Sequence, residues 1–193
     1  MAPPEAKPKI FRRDVKHPRL EFRRGALEVI LPPGDDAAML MKKKQQWINK
    51  KTDFINECLE RAREKQLVTR TDADLRSLVY GFVEIAAGDL GVEVNTIRFR
   101  HMKTKWASCS NKRNLTFNSL MKYLPNELVD YIVFHETAHI REKRHNDRFW
   151  QNIYHKFERY SELEKDLFSY WFLVHSDMAQ NDERGASLRP SVV

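Results

Sequence analysis

His135, Glu136 and His139 form an H-E-x-x-H run, and a third histidine, His145, follows six residues after the second. Residues four apart share one face of an α-helix, so His135 and His139 can aim their ring nitrogens at one point. Glu136 stands about 100° around the same helix, beside that point rather than on it. Two imidazoles on one helical turn with a flanking carboxylate is the pattern of a hydrolytic zinc site, with the glutamate as general base. His145 cannot reach the same ion from a continuous helix, because six residues carry it roughly 9 Å further along the axis. The helix is therefore expected to end between Ile140 and Lys143, with the chain turning back. Glu158, Glu162 and Glu164 are rival third ligands on residue type alone.

The elements that must position these residues are legible in the flanking sequence. Leu124, Pro125, Asn126 and Glu127 signal a helix start, and Leu128, Tyr131, Ile132 and His135 recur at helical spacing. The ligand face is thus also the buried face. Thr96 to Met102 and Asn114 to Asn118 alternate as strands just before that helix. After it, Asn146 or Asp147 can cap a helix carrying Phe149, Trp150, Ile153 and Phe157. Ser161 and Glu164 then form a capping-box pattern for a last helix with Leu167, Phe168, Trp171 and Phe172. Upstream, Leu20 to Phe22 and Ala26 to Leu31 flank Arg23, Arg24 and Gly25 as a hairpin. A long amphipathic helix is expected from Asp36 to about Lys65, and a second from Thr71 or Asp72 to Gly91.

The chain has 193 residues, 41% of them hydrophobic, which fits one domain with a substantial core. The expected layout is a flexible start over 1–12, a single catalytic domain over 13–175 and a mobile tail over 176–193. Neither a signal-type apolar segment nor a bilayer-spanning stretch is visible, so a cytoplasmic, membrane-free protein is expected. Cys58 and Cys109 are too few and too separated for a disulfide framework or a zinc ribbon. The net charge is +7, and Arg98, Arg100, Lys103, Lys105, Lys112 and Arg113 lie in one stretch without an acid. Such a stretch would suit a nucleic acid or nucleotide, or would simply be a solvated face; no aromatic ladder accompanies it. Three functional readings follow: a zinc peptidase, a metal-dependent hydrolase of nucleotides or other phosphorylated substrates, and a nucleic-acid or ribonucleoprotein binder with a structural zinc.

Further residues narrow the choice. Trp106-Ala107-Ser108-Cys109-Ser110, Asn114-Leu115-Thr116-Phe117-Asn118, Leu124-Pro125, Asp130-Tyr131-Ile132-Val133, the H-E-x-x-H run, and His145-Asn146 before Phe149-Trp150 occur in that order. Together they resemble the YgjP-like metallopeptidases and, more distantly, the SprT and WLM groups of minimal zincins. The resemblance implies an α+β fold, with a short mixed β-sheet beside the metal helix and an N-terminal hairpin and long helix. It also implies one Zn2+ per chain held by His135, His139 and His145, Glu136 as catalytic acid and base, and a peptide or protein substrate. Trp106, Ser108 and Asn118 are implied substrate-groove residues, with Cys109 nearby. Asn114 to Asn118 is expected to offer a sheet edge to an extended peptide. Two positions depart from the family pattern: Ala107 stands where glycine is usual, and Thr137 where leucine is usual. The turn glycine of metzincins is Glu142 here, which excludes that class despite the shared histidine spacing.

Overall fold

A computed structural model describes residues 8–23 and 26–187, with side chains described over 8–22 and 26–176. Where one domain over 13–175 was expected, the chain divides into two compact units, Met1–Glu64 and Lys65–Val193.

The first unit is a three-stranded sheet with two helices. β1 (Lys9–Arg12), β2 (Arg19–Arg23) and β3 (Ala26–Leu31) are ordered β1-β3-β2, with β3 central. β2 and β3 pair antiparallel, as the hairpin pattern requires, and β1 pairs parallel to β3 from Lys9 opposite Glu28. Lys9–Arg12 therefore belongs to a strand rather than to a flexible start. Val29 and Leu31 of β3 pack with Ala37 into a small cluster that Leu20, Leu40 and Met41 border. The expected long helix is two helices, α1 (Ala37–Lys43) and α2 (Gln45–Arg63), broken at Lys44. Asp36 caps α1 by accepting from the Ala38 and Met39 amides, leaving an apolar stripe at helical spacing on α2 that buries Ile55, Cys58 and Ala62.

The second unit holds the chemistry. α3 (Asp72–Leu90) starts on a Thr71–Asp74 capping box and stops at Gly91, which takes the left-handed conformation (φ 61°) that glycine adopts without penalty. Leu75, Val79, Val83, Ala86 and Leu90 follow a three-to-four spacing, and all are buried. The leucines and valines each contribute roughly 1.5–3 kcal/mol on leaving water, fixing the rotation of α3 against α4 (Asn126–Arg141). β4 (Thr96–Arg100), β5 (Ala107–Cys109) and β6 (Asn114–Asn118) form a mixed sheet in the order β4-β6-β5. β6 is parallel to β4 and antiparallel to β5, with Leu115 and Phe117 fully buried beneath it. A short mixed sheet thus lies beside the histidine helix, as the α+β reading holds. The edge assignment is corrected: Asn114–Asn118 is the centre of the sheet and both its sides are taken, so its edges are β4 and β5.

A 3-10 turn, Ser119–Tyr123, leads into α4, which begins behind Pro125 and ends at Arg141. α5 (Asp147–Lys156) is capped by Asn146, whose side chain accepts from the Phe149 amide. α6 spans Tyr160–Ser187, well past residue 176, where a tail was expected. Its start also differs from the capping-box expectation: Ser161 lies inside the first turn, and Glu164 is engaged elsewhere. Among the described residues no helix is long and apolar enough to cross a membrane.

Candidate active site

The site is built on the last turns of α4. Tyr131, Ile132, Val133, Phe134, Thr137 and Ala138 are buried, which anchors the helix, and His135, Glu136 and His139 sit at its partly open border. The helix stops at Arg141 because Glu142 turns to extended backbone (φ −131°, ψ 107°). That turn brings exposed His145 back over α4. Its Nε2 lies 3.1 Å from His135 Nε2 and 3.0 Å from His139 Nε2. Nitrogens about 2.0–2.1 Å from a tetrahedral zinc stand somewhat more than 3 Å apart, so this spacing suits three nitrogens around one ion. Among the described residues these histidines are the group able to share a metal. The rival glutamates Glu158, Glu162 and Glu164 are outside that group.

The ring environment favours the ligand form. Burial, reinforced by His139 and His145, pushes His135 down to about 3, and burial lowers His139 as well. Both are therefore neutral imidazoles near pH 7, with lone pairs free for a cation. His139 Nδ1 lies 3.1 Å from the Glu142 carbonyl. Donating Nδ1–H there leaves Nε2 as the acceptor, so the backbone that ends α4 also sets the tautomer. Fully buried Phe149 packs against all three imidazoles, with ring centroids 4.9, 4.6 and 4.6 Å from His135, His139 and His145. Trp150 adds a second aromatic wall, 5.5 Å from His145.

Glu136 faces the sheet. Burial pushes its carboxyl up to about 7, opposed by the Lys105 ammonium and by the Cys109 amide, which donates to it. The Cys109 amide is available for a reason of register. Asn118 N donates to Trp106 O, and Ser110 N to Asn114 O, so residues 106 and 110 spend their backbone groups on β6. Alternation along an antiparallel pair then turns residues 107 and 109 outward, toward α4. Burial raises the Cys109 thiol, with Glu136 adding to the rise and Lys143 opposing it; its Sγ donates weakly to Ser110 O.

Glu136 also borders a cavity of about 340 Å³, lined by Lys105, Trp106, Ala107, Tyr131, Ile132, His135, Glu164, Leu167, Phe168 and Trp171, among others. Trp106 is held in this wall by its Nε1–H, 3.3 Å from Leu167 O, and by an edge-to-face contact with Trp171 at 4.9 Å. Ser108 is half-buried in β5 opposite Thr116 and does not border the cavity. Asn118 is 0% exposed and does not face a groove. Its Oδ1 accepts from the Met102 and Leu120 amides (3.2 and 3.1 Å), and its Nδ2 donates to the Met102 and Lys105 carbonyls (2.8 and 2.9 Å). It fixes the loop that carries Lys105 and Trp106. Ala107 needs no glycine-like conformation: it is a strand residue whose side chain joins the core. Thr137 is buried too, with its hydroxyl donating to Val133 O at 2.8 Å. Arg141 lies 3.5 Å from Leu90 O rather than in the cavity.

Sequence reasoning missed Tyr131 and Glu164. The buried Tyr131 hydroxyl donates to Glu164 Oε1 at 3.1 Å, and burial together with this carboxylate pushes the phenol well above its ordinary range. Tyr131 stands four residues before His135, a spacing that places it on the ligand face, but nothing local marks Glu164 as its partner. The basic stretch is divided: Arg98 and Arg100 point outward from β4, while Lys105 borders the Glu136 cavity.

Residues 60–170 match the model of the YgjP-like metallopeptidase domain. No curated protein matches the chain. Among solved structures, the metallopeptidase zymogen abylysin of Pyrococcus abyssi is 28% identical, over 48% of this chain and 93% of that one, with a TM-score of 0.45. The metallopeptidase zymogen jannalysin of Methanocaldococcus jannaschii is 25% identical, over 48% and 95%, with a TM-score of 0.45. Neither the family match nor the site geometry supports a nucleic-acid partner, one of the two readings of the basic stretch. With more than half of its length matched by that domain, and with its histidines converging beside a partly buried glutamate, the chain belongs to the YgjP-like metallopeptidase family.

Proposed function

We propose that the chain is a zinc-dependent peptidase in which His135, His139 and His145 hold the ion and Glu136 is the general base. The convergence of three Nε2 atoms beside the Glu136 carboxyl is the observation that carries this reading. An ion in that cradle would supply Lewis acidity, polarising a carbonyl and making a water more acidic. The rest falls to the chain itself. Glu136, poised near 7, takes a proton from the attacking water and returns it to the leaving amine. A cation among the histidines would favour its ionised form, as an opposite charge does for any carboxylate. The Cys109 amide fixes the carboxylate's direction, and buried Phe149 packs the three imidazoles in place. The backbone of Ala107 on edge strand β5 faces away from β6 and can pair with an extended peptide. The adjoining cavity receives one of that peptide's side chains.

The test separates ion binding from chemistry. His145→Ala should lower zinc content and affinity by more than the 10–100-fold typical of losing a residue that only orients a ligand. Glu136→Gln should retain zinc and lose peptide cleavage. A Glu136→Gln protein that still cleaves, or a His145→Ala protein with unchanged zinc affinity, defeats the assignment.

A further inference from the structure

We propose that the cavity beside Glu136 selects a cationic side chain, arginine or lysine, in the peptide substrate, and that Glu164 is the residue that selects it. The inference rests on the peptidase reading and specifies its substrate class.

Glu164 enters the cavity from α6. Tyr131 OH, at 3.1 Å, is its hydrogen-bond donor, and among the described residues it forms no ion pair. The one lysine lining the cavity, Lys105, acts on the Glu136 carboxyl through its charge and makes no ion pair with Glu164 among the described residues. The walls between the two glutamates are Trp106, Ile132, Leu167, Phe168 and Trp171. A half-buried carboxylate in such walls is costly unless a cation meets it, and a phenol supplies a single hydrogen bond without compensating charge. An incoming guanidinium meets both needs. Its fork can donate to the Glu164 oxygen atoms left open by Tyr131, and its plane can stack on the indole rings. An ammonium does the same with a point charge and fewer directed bonds. An acidic side chain would be repelled, and an apolar one would cover Glu164 without pairing it.

Tyr131 has a positioning role in this scheme. It is buried on α4 and held edge-to-face by Phe157 at 5.4 Å, so it presents Glu164 at a fixed distance from the His135 turn. The selecting charge and the ligand face are thereby tied to the same helix.

Two measurements test the proposal. Cleavage sites generated in a mixture of unfolded proteins by the zinc-loaded enzyme should be enriched in arginine and lysine at one position flanking the cut bond. In matched peptides differing only there, arginine should exceed norleucine in kcat/KM by about tenfold, the size of one charge-assisted hydrogen bond. Glu164→Gln, which can still accept from Tyr131, should bring that ratio close to one. Independently of turnover, the Glu136→Gln protein should bind the arginine peptide about tenfold more tightly than the norleucine peptide by tryptophan fluorescence, and Glu136→Gln/Glu164→Gln should bind them alike. Apolar or acidic enrichment, equal binding of the two peptides, or a ratio untouched by Glu164→Gln overturns the selectivity. Absence of all cleavage alongside preferential arginine binding would instead overturn the peptidase reading and leave the cationic pocket standing.

Discussion

Asn118→Ala removes four hydrogen bonds with one substitution. In the folded protein the side chain satisfies the Met102 and Leu120 amides and the Met102 and Lys105 carbonyls, and the residue is 0% exposed. Three of these bonds are buried; the fourth, to Lys105 O, is nearer to water. Each net bond contributes about 1 kcal/mol, and a buried group left unpaired costs about 1–3 kcal/mol. Three buried losses and one partly recovered by solvent give about 4 kcal/mol, a large share of the roughly 5–15 kcal/mol that holds a typical domain together. Urea unfolding followed by tryptophan fluorescence should show the midpoint moving down with little change in slope. Hydrogen exchange at the α4 amides should report the same loss for the second unit specifically. Asn118→Asp sharpens the test, since it keeps both accepted bonds but turns oxygen toward two carbonyls. Burial there raises the carboxyl's folded pKa, so this variant should be less destabilised at pH 5 than at pH 8. A loss below about 1.5 kcal/mol for Asn118→Ala, or an Asn118→Asp penalty that does not lessen on acidification, would refute the clamp.

Phe149→Ala should cost about 3–5 kcal/mol, as emptying a fully buried aromatic site does. Phe149→Leu should cost under about 1.5 kcal/mol yet weaken zinc binding about tenfold, because the imidazoles lose the ring that packs them; zinc titration showing no change would limit Phe149 to filling the core. Thr71→Ala removes an N-cap and should cost about 1 kcal/mol at pH 7. The Thr71 hydroxyl, helped by the Thr71 backbone amide, holds the Asp74 carboxyl below its ordinary value of 3.8. A depressed folded pKa adds stability that is complete above the unfolded value and lost as pH falls through the folded one. The Thr71→Ala penalty, measured by chemical unfolding, should therefore shrink between pH 5 and pH 2, and an equal penalty at both would count against the coupling.

Legibility in the sequence follows the range of the interaction. The i, i+4 histidines, the end of α4 and the Asn146 cap are local, and the residue pattern contains them. Gly91 and the Thr71 capping box are local in the same sense. β5 is three residues long, too short for alternation to mark, and it is defined by pairing with Thr116 and its neighbours. Asn118 matches a groove residue by type, yet three of its four partner groups lie in a loop 13 to 16 residues away, which only the folded chain brings around it. Glu164 was obscured by a competing local reading, because Ser161 and Glu164 match a capping box while the real partner is Tyr131, 33 residues upstream. The central place of β6 was missed because strand order is a property of the whole sheet. The break at Lys44 has no breaker residue, and we have no physical account of it.

The turn between β5 and β6 is short and tightly defined. Arg113 adopts a left-handed conformation (φ 59°), with its amide donating to Ser110 O. Side chains along a strand alternate with a period of two, and so do the outward and inward amides. One residue added to or removed from 111–113 would thus rotate the β5 backbone by half a period. Cys109 N–H would then face β6, and Glu136 would meet a carbonyl or nothing. The orientation of the basic carboxylate is consequently encoded in the length of a surface turn that touches neither the histidines nor the cavity. Substitutions in that turn should be read leniently and insertions severely, the reverse of the usual expectation for an exposed loop.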